Sequence, residues 1–135
     1  MAGACDGKVA LVTGASRGLG KAIAQRLAGE GATVGLTART LEPDPKYHGS
    51  LQQTLDEITT AGGTAIAIQA DMSKSEEQEH ISGELVEKFG EPDVLVSNAA
   101  FRLAERLSSR DVSRVCQNWI GSVHWPASRR PRRGR

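Results

Sequence analysis

Aromatic residues are scarce in this 135-residue chain: phenylalanine, tryptophan and tyrosine together make up 4% of it, and Tyr47 is the single tyrosine. Small and aliphatic side chains must therefore fill the interior, as they do where helices pack closely on a parallel sheet. The two cysteines, Cys5 and Cys116, and the three scattered histidines do not have the spacing of disulfide partners or metal ligands. We therefore expect neither a disulfide nor a metal site.

The chain also lacks a long hydrophobic run. No stretch approaches the roughly 20 apolar residues that span a bilayer, and no apolar segment follows a basic start at the N-terminus. Ala2 stands where N-myristoylation would require a glycine. These absences predict a protein without a membrane partner, and the cytoplasm is its expected location.

Charge is nearly balanced overall but unevenly distributed. The net charge of the chain is +1, and five arginines lie in the last ten residues, which leaves −4 for residues 1–125. The body is therefore not a basic nucleic-acid-binding surface. We predict one domain over residues 1–125 and a disordered basic tail over residues 126–135. An arm that binds nucleic acid through its phosphates is the alternative for this tail, but no aromatic residues interleave with its arginines.

Residues 13–20 read T-G-A-S-R-G-L-G and lie between a short apolar run and a segment with helical periodicity. In such a strand-to-helix turn, backbone N–H groups and the positive end of the helix dipole approach a phosphate that side chains would hold away. A second predicted strand, over residues 33–37, completes a βαβ unit. This context favours a dinucleotide site over a glycine turn without a ligand.

Four segments carry apolar residues at helical spacing. The first follows the glycine turn, and its predicted apolar stripe consists of Leu19, Ala22, Ile23 and Leu27. Capping boxes precede the second and third segments: Ser50 with Gln53, and Ser73 with Glu76. The fourth segment, over residues 112–123, has the most regular periodicity.

Predicted strands over residues 9–12, 33–37, 64–70 and 94–96 alternate with these helices. This alternation predicts an α/β fold with a doubly wound parallel sheet, and right-handed crossovers predict the strand order 3-2-1-4. Ligands of such sheets bind outside the carboxyl ends of the strands, at the switch point, which lies here between strands 1 and 4. The residues that follow these strands are Gly14, Ala38 with Arg39, Asp71 and Asn98, and we expect them to share one site.

Three motifs in this order, at residues 13–20, A-D-M-S at 70–73 and S-N-A-A at 97–100, resemble those of the short-chain dehydrogenase/reductase family. The family pattern is T-G-x-x-x-G-x-G, an aspartate after strand 3 and N-N-A-G after strand 4. The resemblance covers roughly residues 7–100 and implies an incomplete Rossmann-type fold. Together with the charge at the end of strand 2 described below, it predicts a set of cofactor-binding residues: Gly14, Ser16, Arg17, Gly18, Leu19, Gly20, Arg39, Asp71, Met72, Asn98 and Ala99.

The same resemblance implies roles for some of these residues. Asp71 would hydrogen-bond the adenine amino group, and Asn98 and Ala99 would lie along the nicotinamide-side ribose while bracing the central strands. Ser97 and Ala100 depart from the commonest form of the family motif, but both are small.

Charge at the end of the second strand favours NADP over NAD as the cofactor. NAD-binding proteins place a carboxylate there to accept from the ribose 2′-hydroxyl, and a carboxylate would repel a 2′-phosphate. In this chain the position is Ala38, followed by Arg39, and Arg17 projects from the glycine turn. Two guanidinium groups would hold the 2′-phosphate. A solvated surface arginine is the alternative interpretation of Arg39.

Family chemistry rests on a tyrosine that transfers a proton to or from the substrate oxygen, a lysine four residues later that lowers its pKa, and an upstream serine that orients the carbonyl. Here Tyr47 has Leu51 four residues on. The one catalytic candidate is Asn118, because residues 118–121 resemble the family's N-x-x-G, whose asparagine helps hold a proton-relay water. Another alignment places Trp119 there, and an ordinary polar face residue is a further alternative for Asn118.

These observations predict an NADP-dependent oxidoreductase that transfers a hydride between NADP(H) and a small carbonyl/alcohol substrate pair. The chain would be its cofactor-binding fragment, without the catalytic tyrosine and lysine. A truncation or frameshift would explain the arginine-rich end and would leave strand 4 as an open edge prone to association. The alternative is a non-catalytic dinucleotide-binding module that acts through a partner. A carbohydrate epimerase is disfavoured by the glycine spacing and by the same missing pair.

Overall fold

A computed structural model describes residues 3–46, 48–72 and 74–99 of the chain. Strands and helices alternate in the order β1 (Val9–Thr13), α1 (Gly18–Gly29), β2 (Thr33–Ala38), α2 (Leu51–Thr60), β3 (Thr64–Gln69), α3 (Ser75–Phe89) and β4 (Val94–Val96). The predicted helix over residues 112–123, the tail over 126–135, Tyr47 and Ser73 lie outside the described residues.

The four strands of the described residues form one parallel sheet in the order β3-β2-β1-β4, which confirms the predicted order. Strand β1 pairs with β2 in register from Val9 with Thr33 to Thr13 with Thr37, and on its other side it pairs with β4. The chain therefore winds outward through β2 and β3 and then crosses back to β4. This reversal creates a switch point between β1 and β4 at the carboxyl edge of the sheet.

Helices cover both faces of the sheet and bury a core on each. On one face, Ala10 and Val12 of β1 belong to a cluster shared with α1 and α2. On the opposite face, Leu11 packs in a cluster with Ile81 and Leu85 of α3. Successive side chains of a strand point to opposite faces, so a central strand covered on both sides needs the unbroken apolar run that β1 has.

The buried side of α1 differs from the predicted apolar stripe. Leu19 is 68% exposed and Ala22 is also exposed, whereas Ile23 and Leu27 are partly buried. The buried residues of this helix are the small ones at every fourth position, Gly20, Ala24 and Ala28. The stripe was wrong for Leu19 and Ala22 because close packing of a helix on a sheet favours small side chains over the most hydrophobic ones.

Ser50 caps α2, since its hydroxyl accepts a hydrogen bond from the Gln53 amide at 3.1 Å. This confirms Ser50 as the N-cap, but the Gln53 side chain donates to Glu57 instead of closing the box. Glu57 also accepts from Lys21 at 3.0 Å and from Gln25 at 2.6 Å, and the hydrogen bond from Lys21 lowers the pKa of Glu57. These contacts join α1 to α2 on the exposed side of the pair.

Helix α3 starts differently from the predicted capping box of Ser73 and Glu76. The helix begins at Ser75 with Lys74 at its N-cap, and Ser73 lies outside the described residues. Glu76 and Glu77 place two carboxylates in the first turn, where the positive end of the helix dipole stabilises them.

Two register partners, Thr13 of β1 and Thr37 of β2, have buried side chains with opposite hydrogen-bonding states. The Thr13 hydroxyl is bonded, whereas Thr37 Oγ1 has no partner among the described residues. A buried hydroxyl without a partner destabilises the folded state. We therefore expect Thr37→Val, which keeps the side-chain shape, to raise the free energy of unfolding by about 1 kcal/mol in urea denaturation.

Thr13→Val is the matched control for this prediction. It removes the acceptor of the Asn98 and Ala99 amides and should lower the free energy of unfolding by about 1–3 kcal/mol. A loss of stability in Thr37→Val as large as that in Thr13→Val would contradict the prediction.

Candidate functional site

The carboxyl ends of the four described strands lie at one edge of the sheet, because the strands are parallel. Gly14 follows β1, Arg39 follows β2, and Asp71 and Asn98 lie two residues beyond the ends of β3 and β4. The structure thus brings these predicted positions to one edge. Gly14 and Asn98 are in direct contact there, on either side of the switch point.

The glycine-rich turn leads from β1 directly into α1. Gly14 has a φ of 68°, in the left-handed region that glycine adopts without strain. The Ala15 amide donates to the Thr37 carbonyl at 3.1 Å, which ties the turn to the end of β2. Helix α1 begins at Gly18 with Arg17 at its N-cap, and no side chain of the described residues caps it. Its first turn holds no acidic residue, so the positive end of the helix dipole is available to an anionic ligand.

Gly20 brings the first turn of α1 against the strand ends. A Cβ at this position would lie 2.2 Å from the Gly14 carbonyl oxygen and 2.5 Å from Asn98 Nδ2. A Cβ at Gly14 would lie 3.0 Å from the same amide nitrogen. Without these side chains, the helix, the turn and the segment after β4 meet in one place.

Asn98 and Ala99 are bound to the end of β1. Both backbone amides donate to the Thr13 hydroxyl at 3.0 Å, and Asn98 Nδ2 lies 3.3 Å from the carbonyl oxygens of Thr13 and Gly14. The Thr13 hydroxyl lies 3.4 Å from the Val96 carbonyl, to which it donates. These bonds are the bracing expected of Asn98 and Ala99. Thr13 lies at their centre, although its sequence position at a strand end does not reveal this role.

Arg17 and Arg39 are both exposed and belong to neighbouring segments. The Arg17 guanidinium donates from Nη2 to the Thr40 hydroxyl at 3.4 Å, and Thr40 directly follows Arg39. The Arg39 carbonyl accepts from Gln69 Nε2 at 2.9 Å, which joins the end of β2 to the end of β3. Ala38 is buried and offers no carboxylate at this point. Two exposed arginines and no carboxylate at residue 38 therefore mark the segments at the end of β2.

The loop after β3 is held by α3. The Asp71 amide donates to the Glu77 carboxylate, and the carbonyl of buried Met72 accepts from Gln78 Nε2 at 2.7 Å. Asp71 itself is half-buried. Side chains of α3 therefore hold this loop through hydrogen bonds to its backbone.

Ser16 and Leu19 differ in exposure within the glycine turn and the start of α1. Ser16 is buried, and its hydroxyl lies 3.5 Å from Arg17 Nε. Leu19 is exposed beside the turn, where a ligand could cover it.

Among the described residues, a cavity also lies away from this edge. Asn118 lies outside the described residues. A cavity of about 370 Å³ lies at the opposite edge of the sheet, between the ends of α1 and α2, and none of the predicted site residues lines it. The described residues contain no group of three or more histidine, cysteine, aspartate or glutamate side chains that could hold a metal ion. Within the same ranges, every helix is too short or too polar to cross a membrane.

Comparison with known proteins gives matches over most of the chain. A family profile described as short chain dehydrogenase matches residues 8–127, beyond residue 100, where the recognised motifs end. Hydroxysteroid dehydrogenase-like protein 2 of Mus musculus is 40% identical over 98 residues, which are 73% of this chain and 20% of that protein. The hydroxynaphthalene reductase-like protein Arp2 of Metarhizium majus is 40% identical over 112 residues, which are 81% of this chain and 40% of that protein.

A solved structure of a metagenomic short-chain oxidoreductase in complex with NADP is also similar. It has a TM-score of 0.62 and 42% sequence identity, and the alignment covers 71% of this chain and 40% of that chain. The matched part of the present chain therefore covers less than half the length of each of these three proteins.

The contact at Gly20 gives a testable prediction. Gly20→Ala should lower the free energy of unfolding by about 1–3 kcal/mol, because the new methyl group overlaps the Gly14 carbonyl and the Asn98 side chain. Gly29→Ala, at the other end of α1, is the control, since a Cβ there would meet nothing within 4 Å. We expect that variant to be unchanged or more stable by up to about 1 kcal/mol. Equal urea midpoints for the two variants would contradict the prediction.

Proposed function

Because the chain belongs to the short-chain dehydrogenase family, we propose that it binds NADP(H) at the carboxyl edge of its sheet. In a full-length enzyme of the family, this binding would serve reversible hydride transfer between NADP(H) and a carbonyl/alcohol pair. The bound nicotinamide supplies or accepts the hydride. The observation that most supports this proposal is the close contact of Gly20 with Gly14 and Asn98, which is possible because Gly20 has no side chain. This contact brings the start of α1, which no side chain of the described residues caps, to the switch point.

The described residues fit a dinucleotide. A pyrophosphate needs backbone N–H donors and glycines that let it come close to them, and the turn from Gly14 to Gly18 followed by the first turn of α1 offers both. We assign Gly18, Leu19 and Gly20 to the pyrophosphate, and Ser16 to the adenosine side of the turn. The glycines let the phosphates approach, while Leu19 would lose exposed surface to the bound nucleotide.

We assign Arg17 and Arg39 to the 2′-phosphate, which makes NADP the preferred cofactor over NAD. Arg17 donates a hydrogen bond to Thr40, the residue after Arg39. Both arginines therefore belong to the region where β2 ends. Ala38 places no negative charge there. The similar metagenomic oxidoreductase was solved with NADP, which supports the same choice for this chain.

The remaining contacts follow the other strand ends. Asp71 and Met72 would border the adenine, with the Asp71 side chain accepting from its amino group. Asn98 and Ala99 would lie along the nicotinamide-side ribose, on the platform that the Thr13 hydroxyl holds in place.

We propose that this chain binds the cofactor without turning it over. Its single tyrosine, Tyr47, has a leucine four residues later, so the 135 residues contain no Tyr-x-x-x-Lys pair. Asn118 stays the candidate for positioning a relay water. The alternative is a dinucleotide-binding module that acts through a partner, and such a module would have the same binding properties. Unlike a fragment of an enzyme, the module would need no further catalytic residues.

The assignment of Arg39 predicts a selective loss of affinity. Arg39→Ala should raise the Kd for NADPH roughly 10–100-fold, the loss of a charge-assisted hydrogen bond, and change the Kd for NADH less than about 3-fold. Titration of nucleotide fluorescence measures both constants. Arg26→Ala is the control for lost charge, because Arg26 is exposed on α1 and pairs with Glu30 away from this edge. Equal losses for NADPH and NADH in Arg39→Ala would refute the 2′-phosphate assignment.

The proposal of binding without turnover has a separate test. Calorimetry with NADPH should give a saturable heat, while NADPH absorbance at 340 nm should stay constant with a panel of aldehydes and ketones. Oxidation of NADPH above the blank rate would show catalysis by residues other than a tyrosine and lysine pair. Absence of heat with either nucleotide, on folded protein, would overturn the proposed function.

A further inference from the structure

The first turns of α2 contact the glycine turn through one buried side chain. Thr54 is fully buried, and its hydroxyl donates to the Ala15 carbonyl at 2.9 Å. The same hydroxyl lies 3.2 Å from the Ser50 carbonyl of its own helix, a longer and purely local alternative. The shorter bond joins residues that are 39 positions apart in the sequence, so it connects two separate elements at the site.

This hydrogen bond fixes the orientation of the glycine turn. The Ala15 amide donates to Thr37 and the Ala15 carbonyl accepts from Thr54, so the peptide groups on both sides of Ala15 are anchored. A peptide group is planar and its C=O and N–H point in opposite directions, so holding the Ala15 carbonyl also directs the Ser16 amide. The orientation of this peptide group also helps to determine where the Arg17 side chain leaves the turn.

The start of α2 also contacts the segment that carries the second arginine. The Leu51 amide donates to the Thr40 carbonyl at 3.0 Å, and the Gln52 amide donates to the Leu41 carbonyl at 2.9 Å. Gly49, just before the Ser50 cap, lies so close to the turn that a Cβ there would be 2.5 Å from the Ser16 carbonyl oxygen. One end of α2 therefore contacts both segments, that of Arg17 and that of Arg39.

We propose that Thr54 is a positioning residue for nucleotide selectivity. By holding the Ala15 carbonyl, it keeps Arg17 beside the end of β2, so that both guanidinium groups reach the same 2′-phosphate. This inference rests on the proposed function, since it concerns the same NADP(H) site. Thr54 touches no ligand in this assignment and acts through Ala15 and the peptide that follows it.

Thr54→Val removes the hydroxyl and keeps the shape of the side chain. We expect it to raise the Kd for NADPH roughly 3–10-fold, the range of one lost neutral hydrogen bond, and the Kd for NADH less than about 2-fold. Thr54→Ser keeps the hydroxyl and should restore the wild-type ratio of the two constants. The ratio is the decisive measurement, because partial unfolding reduces both apparent affinities by the same factor and leaves it unchanged.

Thr59→Val is the matched control on the same helix. Among the described residues, the Thr59 hydroxyl donates within its own helix, to the Leu55 carbonyl at 2.8 Å, and it is exposed. Its loss should leave the NADPH/NADH ratio unchanged. If Thr54→Val does not fold, the pair Thr54→Ala and Thr54→Ser isolates the same hydroxyl, and a lower NADPH preference in the alanine variant supports the proposal.

The outcomes separate this inference from the function on which it rests. Selective binding of NADPH by the wild-type chain, with the same ratio in Thr54→Val, would overturn the positioning role and leave the proposed function intact. A wild-type chain that binds neither nucleotide would overturn both. A lower melting temperature in Thr54→Val with an unchanged ratio would show a structural role alone, which also overturns the inference.

Discussion

The candidate site depends on one close contact, that of Gly20 with Gly14 and Asn98. Helix α1 approaches the ends of β1 and β4 so closely that the Gly14 carbonyl oxygen and the side-chain amide of Asn98 occupy the space of a Cβ at Gly20. This approach brings the start of the helix, with its positive dipole end, to the switch point of the sheet. The same contact seats Asn98 on the carbonyls of Thr13 and Gly14. The same atoms therefore stabilise the fold and form the candidate site. A change that separates α1 from the sheet would disrupt both the fold and the site.

Threonine hydroxyls form hydrogen bonds with backbone groups at this edge, where the regular hydrogen bonds between strands end. Loops that leave a parallel sheet carry amides and carbonyls without strand partners, and each buried one needs a hydrogen bond. Thr13 accepts from the two amides after β4, and Thr54 donates to the Ala15 carbonyl. A short hydroxyl on a β-branched side chain suits this purpose, because its few rotamers hold the bond direction with little loss of entropy. Thr37, in the same sheet layer as Thr13, shows that burial alone does not provide such a partner.

Much of the fold could be predicted from the sequence, because apolar runs and helical spacing are local properties. The strand order and the positions of Gly14, Arg39, Asp71 and Asn98 at one edge followed from alternation and crossover handedness. The face of α1 could not be read in the same way, since the sheet selects small residues there and leaves Leu19 exposed. Thr13 and Thr54 were not foreseen either. The partner of a hydroxyl is set by tertiary contact, and threonine gives no periodic signal.

Local positions of charge, more than net charge, must govern recognition of an anionic nucleotide by this chain. Residues 1–125 carry a net charge of −4, so their long-range field opposes an anion. Salt at physiological strength limits that field to about 8 Å, whereas two guanidinium groups and a helix start act at contact distance. Under the proposed function, affinity then depends on whether Arg17 and Arg39 converge on the same phosphate. A neutral hydroxyl that fixes the Ala15 peptide can for this reason influence the binding of a phosphate that it never contacts.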